Sequence, residues 1–464
     1  MNKLACFLVW VVWMCPAFRL QAQIKMPNQL SKTDKIYGLS KFWQEVNYNF
    51  VYLNKIDRDQ WEEDYKSLLT EVQQTENDYE YYRLLQKFCA SLKDGHTNVY
   101  FPKKINELIY TSNFGPYRLF VTDCEGKAII YRVNASKKDE IPIGTEIINV
   151  NGMPVEEYAN QYVKPYIASS TDHILESWKM RQLLRAPAGT KFDLLLKKPD
   201  GEEFSLSLRH EECEEKAVFP DFIDRGLLEL KWPSPDVLYI ALNSFSDPEI
   251  VKLFKDALPE VRKAKKLIID LRYNGGGSSN IGMEILGYFT HDKELFSAVS
   301  QSRLHIPAFK AWGQWVEAKD TLDAWGKQAY FSGRDDYFHK FPSSPMKLET
   351  KKTDRLVVPT VILMGNYTAS AAEDFLISAD NQKHMTTIGD RSFGSTGQPI
   401  LFDLPGGGSA RVCTKKDTYP DGREFVGVGI APDIVVSKNL DSFLKDEDPV
   451  LDRAIAFLKE QGAL

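Results

Sequence analysis

Three periodicities divide the chain. Between residues 24 and 103, apolar and aromatic side chains recur at helical spacing over 35–48, 57–74 and 78–92, which predicts three amphipathic helices. Asp94-Gly95 then signals a turn, and Val99-Tyr100-Phe101 reads as a strand. His96 therefore falls on a loop beside a strand. From about residue 104 to 210 the period drops to two. Short alternating runs at 117–121, 128–133, 145–150, 192–196 and 204–208 are separated by Glu125-Gly126, Asn151-Gly152 and Pro199-Asp200-Gly201, so a small β-rich module is expected. Within it, residues 159–184 read as longer and more helical than a minimal β module needs.

From Val237 onward strand and helix alternate. Residues 238–242 and 266–271 read as strands flanking a helix over 248–264, with Asp247 placed to cap it. This βαβ pattern predicts parallel strands and a right-handed crossover. Residues 356–364 read as a buried strand and 369–379 as a helix. A strand at 386–389, a hairpin of 399–404 with 409–414, and a last helix from Asp448-Pro449 to Glu460 follow. Residues 291–354 are aromatic and irregular. They read as an insertion, either a lid or groove wall or, as the preferred reading, a satellite core packed on the main domain.

Composition narrows the class. The chain has 464 residues, 43% hydrophobic and 26% charged, with a formal net charge of -6, as befits a globular protein of two or three domains. No long basic block is present, so nucleic acid is not expected as a partner. Lys3, the apolar run 4–18 and Leu20-Gln21-Ala22-Gln23 read as an export signal spanning 1–23. A periplasmic or extracellular protein with no later membrane span is therefore expected. Outside the leader, Cys89, Cys124, Cys213 and Cys413 are too widely spaced for a disulfide framework or a zinc site. His210-Glu211-Glu212-Cys213-Glu214-Glu215 lacks a second histidine one helical turn away and reads as a solvated linker. Neither metal nor organic cofactor is expected.

Two stretches carry chemistry. Ser370 falls at the junction of the 356–364 strand and the following helix, where free N–H groups and the helix dipole favour negative charge. A serine so placed can attack a carbonyl; it can also be a simple helix cap. The loop Asn274-Gly275-Gly276-Gly277 lies between a strand and a helix, where backbone N–H groups can approach a ligand. No Gly-Lys-Ser/Thr follows, and Asn280 stands where a dinucleotide loop wants glycine, so an oxyanion fits better than a phosphate.

Taken in order, Asp94-Gly95-His96-Thr97, Asp270-Leu271-Arg272-Tyr273-Asn274-Gly275-Gly276-Gly277, Thr368-Ala369-Ser370-Ala371-Ala372-Glu373 and Gly429-Ile430-Ala431-Pro432-Asp433 resemble the C-terminal processing and tricorn-core serine peptidases of the S41 type. Gly115 to Val121 and Ile143 to Gly152 resemble the carboxylate-binding loop and the later core strand of a PDZ domain. The resemblance implies a multidomain α+β/α/β fold: a helical segment over 24–103, a PDZ-like module over 104–212, and a ClpP/crotonase-like catalytic domain over 213–464. It implies an exported serine endopeptidase with Ser370 as nucleophile. Polypeptide substrates would be guided by their C-termini at the PDZ-like groove, with Tyr117 and Leu119 in that groove and Gly394, Ser395 and Thr396 as further substrate contacts. The processing branch has a lysine base where this chain has Ser395. The tricorn branch supplies a histidine and a late glutamate instead, matched here by His96 and Glu424, with Asp417 and Asp421 in reserve. The implied oxyanion hole is the N–H of Ala371 with that of Gly276, Gly275 being its neighbour. Loss of the lysine also fits a catalytically inactive binding protein on the same fold. A crotonase-type acyl-CoA enzyme is disfavoured by the PDZ-like module and the leader.

Overall fold

Capping chemistry sets the helical start of the chain. Helix α1 (Lys32–Asn49) opens on a capping box: Asp34 N–H donates to Ser31 Oγ, and Ser31 N–H to the Asp34 carboxylate. Helices α2 (Arg58–Gln74) and α3 (Asp78–Ala90) are capped by Asp57 and Asn77, each cap being worth about 1 kcal/mol. Their apolar faces meet where Trp61 stacks on Phe88, ring centroids 3.8 Å apart. Strand β1 (Asn98–Tyr100) follows. The computed structural model describes residues 25–343 and 345–461; the leader expected at 1–23 lies outside them.

The β-rich module comprises β2 (Tyr117–Cys124), β3 (Lys127–Asn134), β4 (Glu146–Val150), helix α4 (Asp172–Arg181), β5 (Lys191–Lys197) and β6 (Glu203–Arg209). Its antiparallel order is β6-β5-β4-β3-β2. Leu119, Ile130, Ile147 and Leu196 fill a core of its own. The helical stretch read over 159–184 comprises the end of a helix at Val155–Tyr162, a 3-10 turn at Lys164–Tyr166 and α4. Pro165, without an N–H and with fixed φ, breaks it. The run from His210 is not a solvated linker. His210 is fully buried, stacked on Phe114 at 4.3 Å, with its ring nitrogens at the Asn113 and Leu184 carbonyls. Cys213 is also buried, and Glu215 accepts from Ser136 and Asn134.

The main sheet is built from β7 (Leu228–Ser234), β8 (Val237–Leu242), helix α5 (Glu249–Val261), β9 (Lys266–Asp270), helix α6 (Ser279–Leu286), β10 (Thr360–Met364), helix α7 (Ala371–Ala379) and β11 (Met385–Gly389). The hairpin β12 (Pro399–Leu404) and β13 (Gly408–Cys413), the short β14 (Ile434–Val435) and helix α8 (Pro449–Glu460) complete it. The order is β7-β8-β9-β10-β11-β14, parallel from β8 onward. Strands β8 and β10 are buried at every residue, as parallel strands covered on both faces must be. The strand read from 356 begins only at Thr360, because Pro359 cannot donate to a ladder.

Two connections position the site. Strand β1 joins the hairpin in the order β1-β13-β12, with Asn98 opposite Arg411. The loop bearing His96 is thus sewn to a segment about three hundred residues downstream (|i−j| = 313 for Asn98 and Arg411). The helical segment shares one hydrophobic cluster with the main sheet, Phe42 and Phe88 together with Leu242 and Phe375. The insertion is tied in by strand Val299–Arg303, which pairs with Phe338–Lys340 and Lys416–Thr418. Arg303 donates to the carbonyls of Asn47 and Phe50 on the helical segment. Phe309, Trp312 and Trp325 form a ring cluster within the insertion, whereas Trp315 and Leu322 face solvent. No helix among the described residues is long and apolar enough to cross a membrane.

Candidate active site

Strand β10 ends in a turn fixed by one threonine. Gly365 N–H donates to Thr368 Oγ1, which donates to the Leu271 carbonyl. Ala369 N–H then bonds Asn274 O at 3.1 Å. The chain enters α7 through Ser370 at φ 56°, ψ -121°. A left-handed conformation in a residue with a Cβ costs of order 1–3 kcal/mol and persists only where its surroundings impose it. Here they do. Gly276 lies so close that a Cβ on it would meet Ser370 Cβ at 2.8 Å and Ala371 N at 2.9 Å. The Ala371 N–H makes no intramolecular hydrogen bond among the described residues, and neither does that of Gly275. Gly276 departs from its expected role: its own N–H is already given to Asn274 Oδ1 at 2.9 Å.

Glu373, one turn into α7, is fully buried and gathers four donors. They are the N–H groups of Ser370 (3.0 Å), Ser395 (3.3 Å) and Gly394 (2.7 Å), and the Ser392 hydroxyl (2.6 Å). Burial pushes its carboxyl up to about 8, and the four donors oppose the shift. The main-chain nitrogens of Ser370 and Ser395 thereby hang from one carboxylate oxygen.

His96 is held by the β1–β13 pairing. Cys413 N–H donates to Thr97 Oγ1, and Arg411 reaches both Asn98 Oδ1 and the Gly95 carbonyl. His96 Nδ1 lies 2.6 Å from Ser395 Oγ. Ser395 Oγ is 3.1 Å from Ser170 Oγ, which is 3.2 Å from Asp94 Oδ1. Asp94 is 2% exposed and also accepts from Thr97 Oγ1 at 2.6 Å. Burial raises the Asp94 carboxyl, and the Thr97 and Ser170 hydroxyls oppose it. The Ser170 hydroxyl is placed to donate to Asp94 Oδ1 or to Ser395 Oγ, and in the tautomer with its proton on Nδ1, His96 donates to Ser395 Oγ. In that tautomer Nε2 is the acceptor. Burial, aided by Arg411 and Lys415 and opposed by Asp417, pushes the imidazole down to about 4. It is therefore neutral near pH 7. No hydrogen bond joins His96 to Ser370 in this state.

Several expected residues stand elsewhere. The Glu424 side chain is 64% exposed and pairs with Lys55 at 3.8 Å; it is not brought to His96. Phe425 beside it is buried, and alternation along an extended segment then turns Glu424 outward. Asp421 caps its own turn and pairs with Arg423. Asp417 is buried and accepts from Ser300, Thr396 and Lys415. Gly394, Ser395 and Thr396 are themselves buried, so they brace the site instead of lining a groove. Leu119 is fully buried in the module's core, and the Tyr117 hydroxyl donates to Glu140. Gly115 N–H is spent on the Glu211 carbonyl. Asp94, Ser170, Glu373 and Lys415 enter the site without having been anticipated. Asp94 and Glu373 lie inside motifs already singled out, whereas Ser170 comes from the β-rich module with no local signal. Among the described residues no cluster of three or more His, Cys, Asp or Glu side chains is disposed to hold a metal ion.

Residues 236–436 match the model of peptidase family S41. That stretch of the chain is similar to peptidase family S41. That family consists of serine-peptidase hydrolases. The carboxyl-terminal-processing protease of Synechocystis sp. is 27% identical over 219 residues, 47% of this chain and 42% of that protein. The carboxy-terminal-processing protease of Bartonella bacilliformis is 24% identical over 221 residues, again 47% of this chain and 42% of the relative. The chain thus matches less than half the length of either relative. The solved structure of mature CPAF complexed with lactacystin superposes with a TM-score of 0.66 at 15% identity, covering 92% of this chain and 97% of that one. The two share a fold.

Proposed function

We propose that this protein is an exported serine endopeptidase that cleaves polypeptides through an acyl-enzyme on Ser370. The reading rests on one observation: His96 is anchored through Nδ1 to Ser395, and Ser395 and Ser370 share the Glu373 carboxylate. His96 Nε2 takes the Ser370 proton as Oγ attacks the scissile carbonyl carbon, and returns it to the leaving amine as the C–N bond breaks. Water then releases the acyl group by the same route. The N–H groups of Ala371 and Gly275 receive the oxyanion, each such donor typically being worth about 3 kcal/mol of barrier. The third member of the relay is Asp94, acting through Ser170 and Ser395, in place of Glu424. On this reading the main sheet is a ClpP/crotonase-like core and the β-rich module is PDZ-like.

A second reading, an inactive binding protein, draws on the absence of a His96–Ser370 hydrogen bond. Catalytic hydrogen bonds are often long before substrate binds. Labelling with a fluorophosphonate probe decides between the two. Wild type should label at Ser370 and lose the label in Ser370→Ala and most of it in His96→Ala. Labelling of wild type no better than Ser370→Ala would leave the inactive reading.

A further inference from the structure

Away from Ser370, Arg83 and Arg185 share one slot and neither is paired with a carboxylate among the described residues. Arg83 lies on α3 and Arg185 lies four residues beyond the end of α4. The Arg83 guanidinium stacks 3.4 Å from the Tyr166 ring centroid and donates to Gln86 Oε1 at 3.1 Å. Arg185 lies over Phe101 at 5.7 Å. The groups that perturb them are aromatic hydroxyls and, for Arg83, the Arg185 charge: Tyr79 faces both, and Tyr166 faces Arg83. Burial holds both guanidinium groups below their ordinary value, and for Arg83 the neighbouring Arg185 charge adds to it.

Such a pair is unfavourable as it stands. Charge withdrawn from water without a counter-ion is costly, and two like charges add repulsion. The surroundings are those of a receptor. Arg83 and Arg185 line a narrow slot of ≈ 20 Å³ with Tyr79, Tyr162 and Gln182, so a bound oxyanion must part them slightly or enter from the cleft beside Arg185. Gln182 and Arg185 also line an adjoining cleft of ≈ 500 Å³ that runs along Asn98–Phe101. A planar guanidinium presents paired N–H donors that match two oxygens of one anion. We propose that Arg83 and Arg185 form an oxyanion site, for a carboxylate- or phosphate-bearing ligand, at the seam between the helical segment and the β-rich module. The proposal does not depend on peptidase activity. An anion held there would offset their repulsion, one charge for a carboxylate and up to two for a phosphate, and join the two parts of the chain that supply them.

The test is titration calorimetry on the full chain in a Ser370→Ala background, so that turnover cannot intervene. Three probes separate the sources: inorganic phosphate, a short peptide with a free C-terminal carboxylate, and the same peptide amidated. At least one anionic probe should bind saturably. Arg83→Gln and Arg185→Gln should each weaken it by about 10- to 100-fold, the loss expected for a charge-assisted hydrogen bond. Arg185→Lys, which keeps the charge without the fork, should fall between. Preference for the free over the amidated peptide would mark a carboxylate ligand, and phosphate binding alone an inorganic or phosphorylated one. A melt in anion-free buffer guards against a purely structural role: removing one charge should not lower the midpoint. The site is refuted if no anion binds, if the glutamine variants bind as well as the parent, or if they melt lower with affinity unchanged.

Discussion

At the scale of single residues, the identity of the group that orients His96 is the point most open to experiment. Asp94 reaches Nδ1 through two hydroxyls, whereas Glu424 stands in solvent beside Lys55. Asp94→Asn keeps the shape and removes the charge at the end of this run of hydroxyls. Peptidase kcat/KM should fall about 100-fold, less than the ~10⁴ of a carboxylate bonded directly to its histidine. Glu424→Gln should change it by no more than about twofold, since an exposed pair contributes little. The reverse ranking would move the third member back to Glu424. The low pKa of His96 carries its own prediction. The unfolded imidazole protonates near 6.5 and the folded one near 4. Between these values the unfolded state binds more protons, so the stability contributed by the neutral ring is full above about pH 6.5 and declines as pH falls toward 4. For the same reason kcat/KM should hold to about pH 5 and fall with a midpoint near 4. A His96 titration followed by NMR that centres near 6.5 would contradict it.

At the scale of elements, the decisive one is β1, three residues long. It holds the His96 loop against Ser395 because it pairs with β13 and because Thr97 both accepts from Cys413 N–H and donates to Asp94. Thr97→Val keeps the volume and leaves two buried partners unsatisfied, each costing about 1–3 kcal/mol. Chemical denaturation should show a loss of about 2–4 kcal/mol, with activity reduced alongside. Much of this layer was legible in the chain. The hairpin at Pro399–Leu404, the βαβ alternation and the helix opening at Pro449 follow from period, turn residues and a capping aspartate, all local signals. The Ser370 turn was legible for the same reason. What stayed hidden is non-local. Nothing near Ser170 announces that it will meet Asp94, and alternation alone could not say on which side of its segment Glu424 would fall until the burial of Phe425 was known. His210 misled because its acidic neighbours suggest solvent, while its own ring is stacked on Phe114.

At the scale of the whole molecule, the division of cores sets how the protein should come apart. The helical segment has no core separate from the main sheet; Phe42, Phe88 and Tyr82 pack in one cluster with Leu242, Leu404 and Phe375. The β-rich module has its own cluster, centred on Leu119, Ile147 and Leu194. Side chains in one cluster lose their partners together, so the helical segment and the sheet should unfold in one transition and the module in another. Calorimetry on the full chain should resolve two transitions. Leu194→Ala should lower the module's transition, and Phe88→Ala the other, each by about 2–5 kcal/mol of its unit's stability. Either variant should leave its neighbour's midpoint nearly unmoved. Function should not divide as cleanly. Ser170 belongs to the module and Asp94 to the helical segment, so melting the module alone would remove a hydroxyl from the His96 relay while Ser370 stays folded. Activity should therefore vanish with the first transition reached, whichever unit it belongs to. If activity outlasts the melting of the module, Ser170 has no part in holding His96, and the relay would have to be built from Ser395 alone.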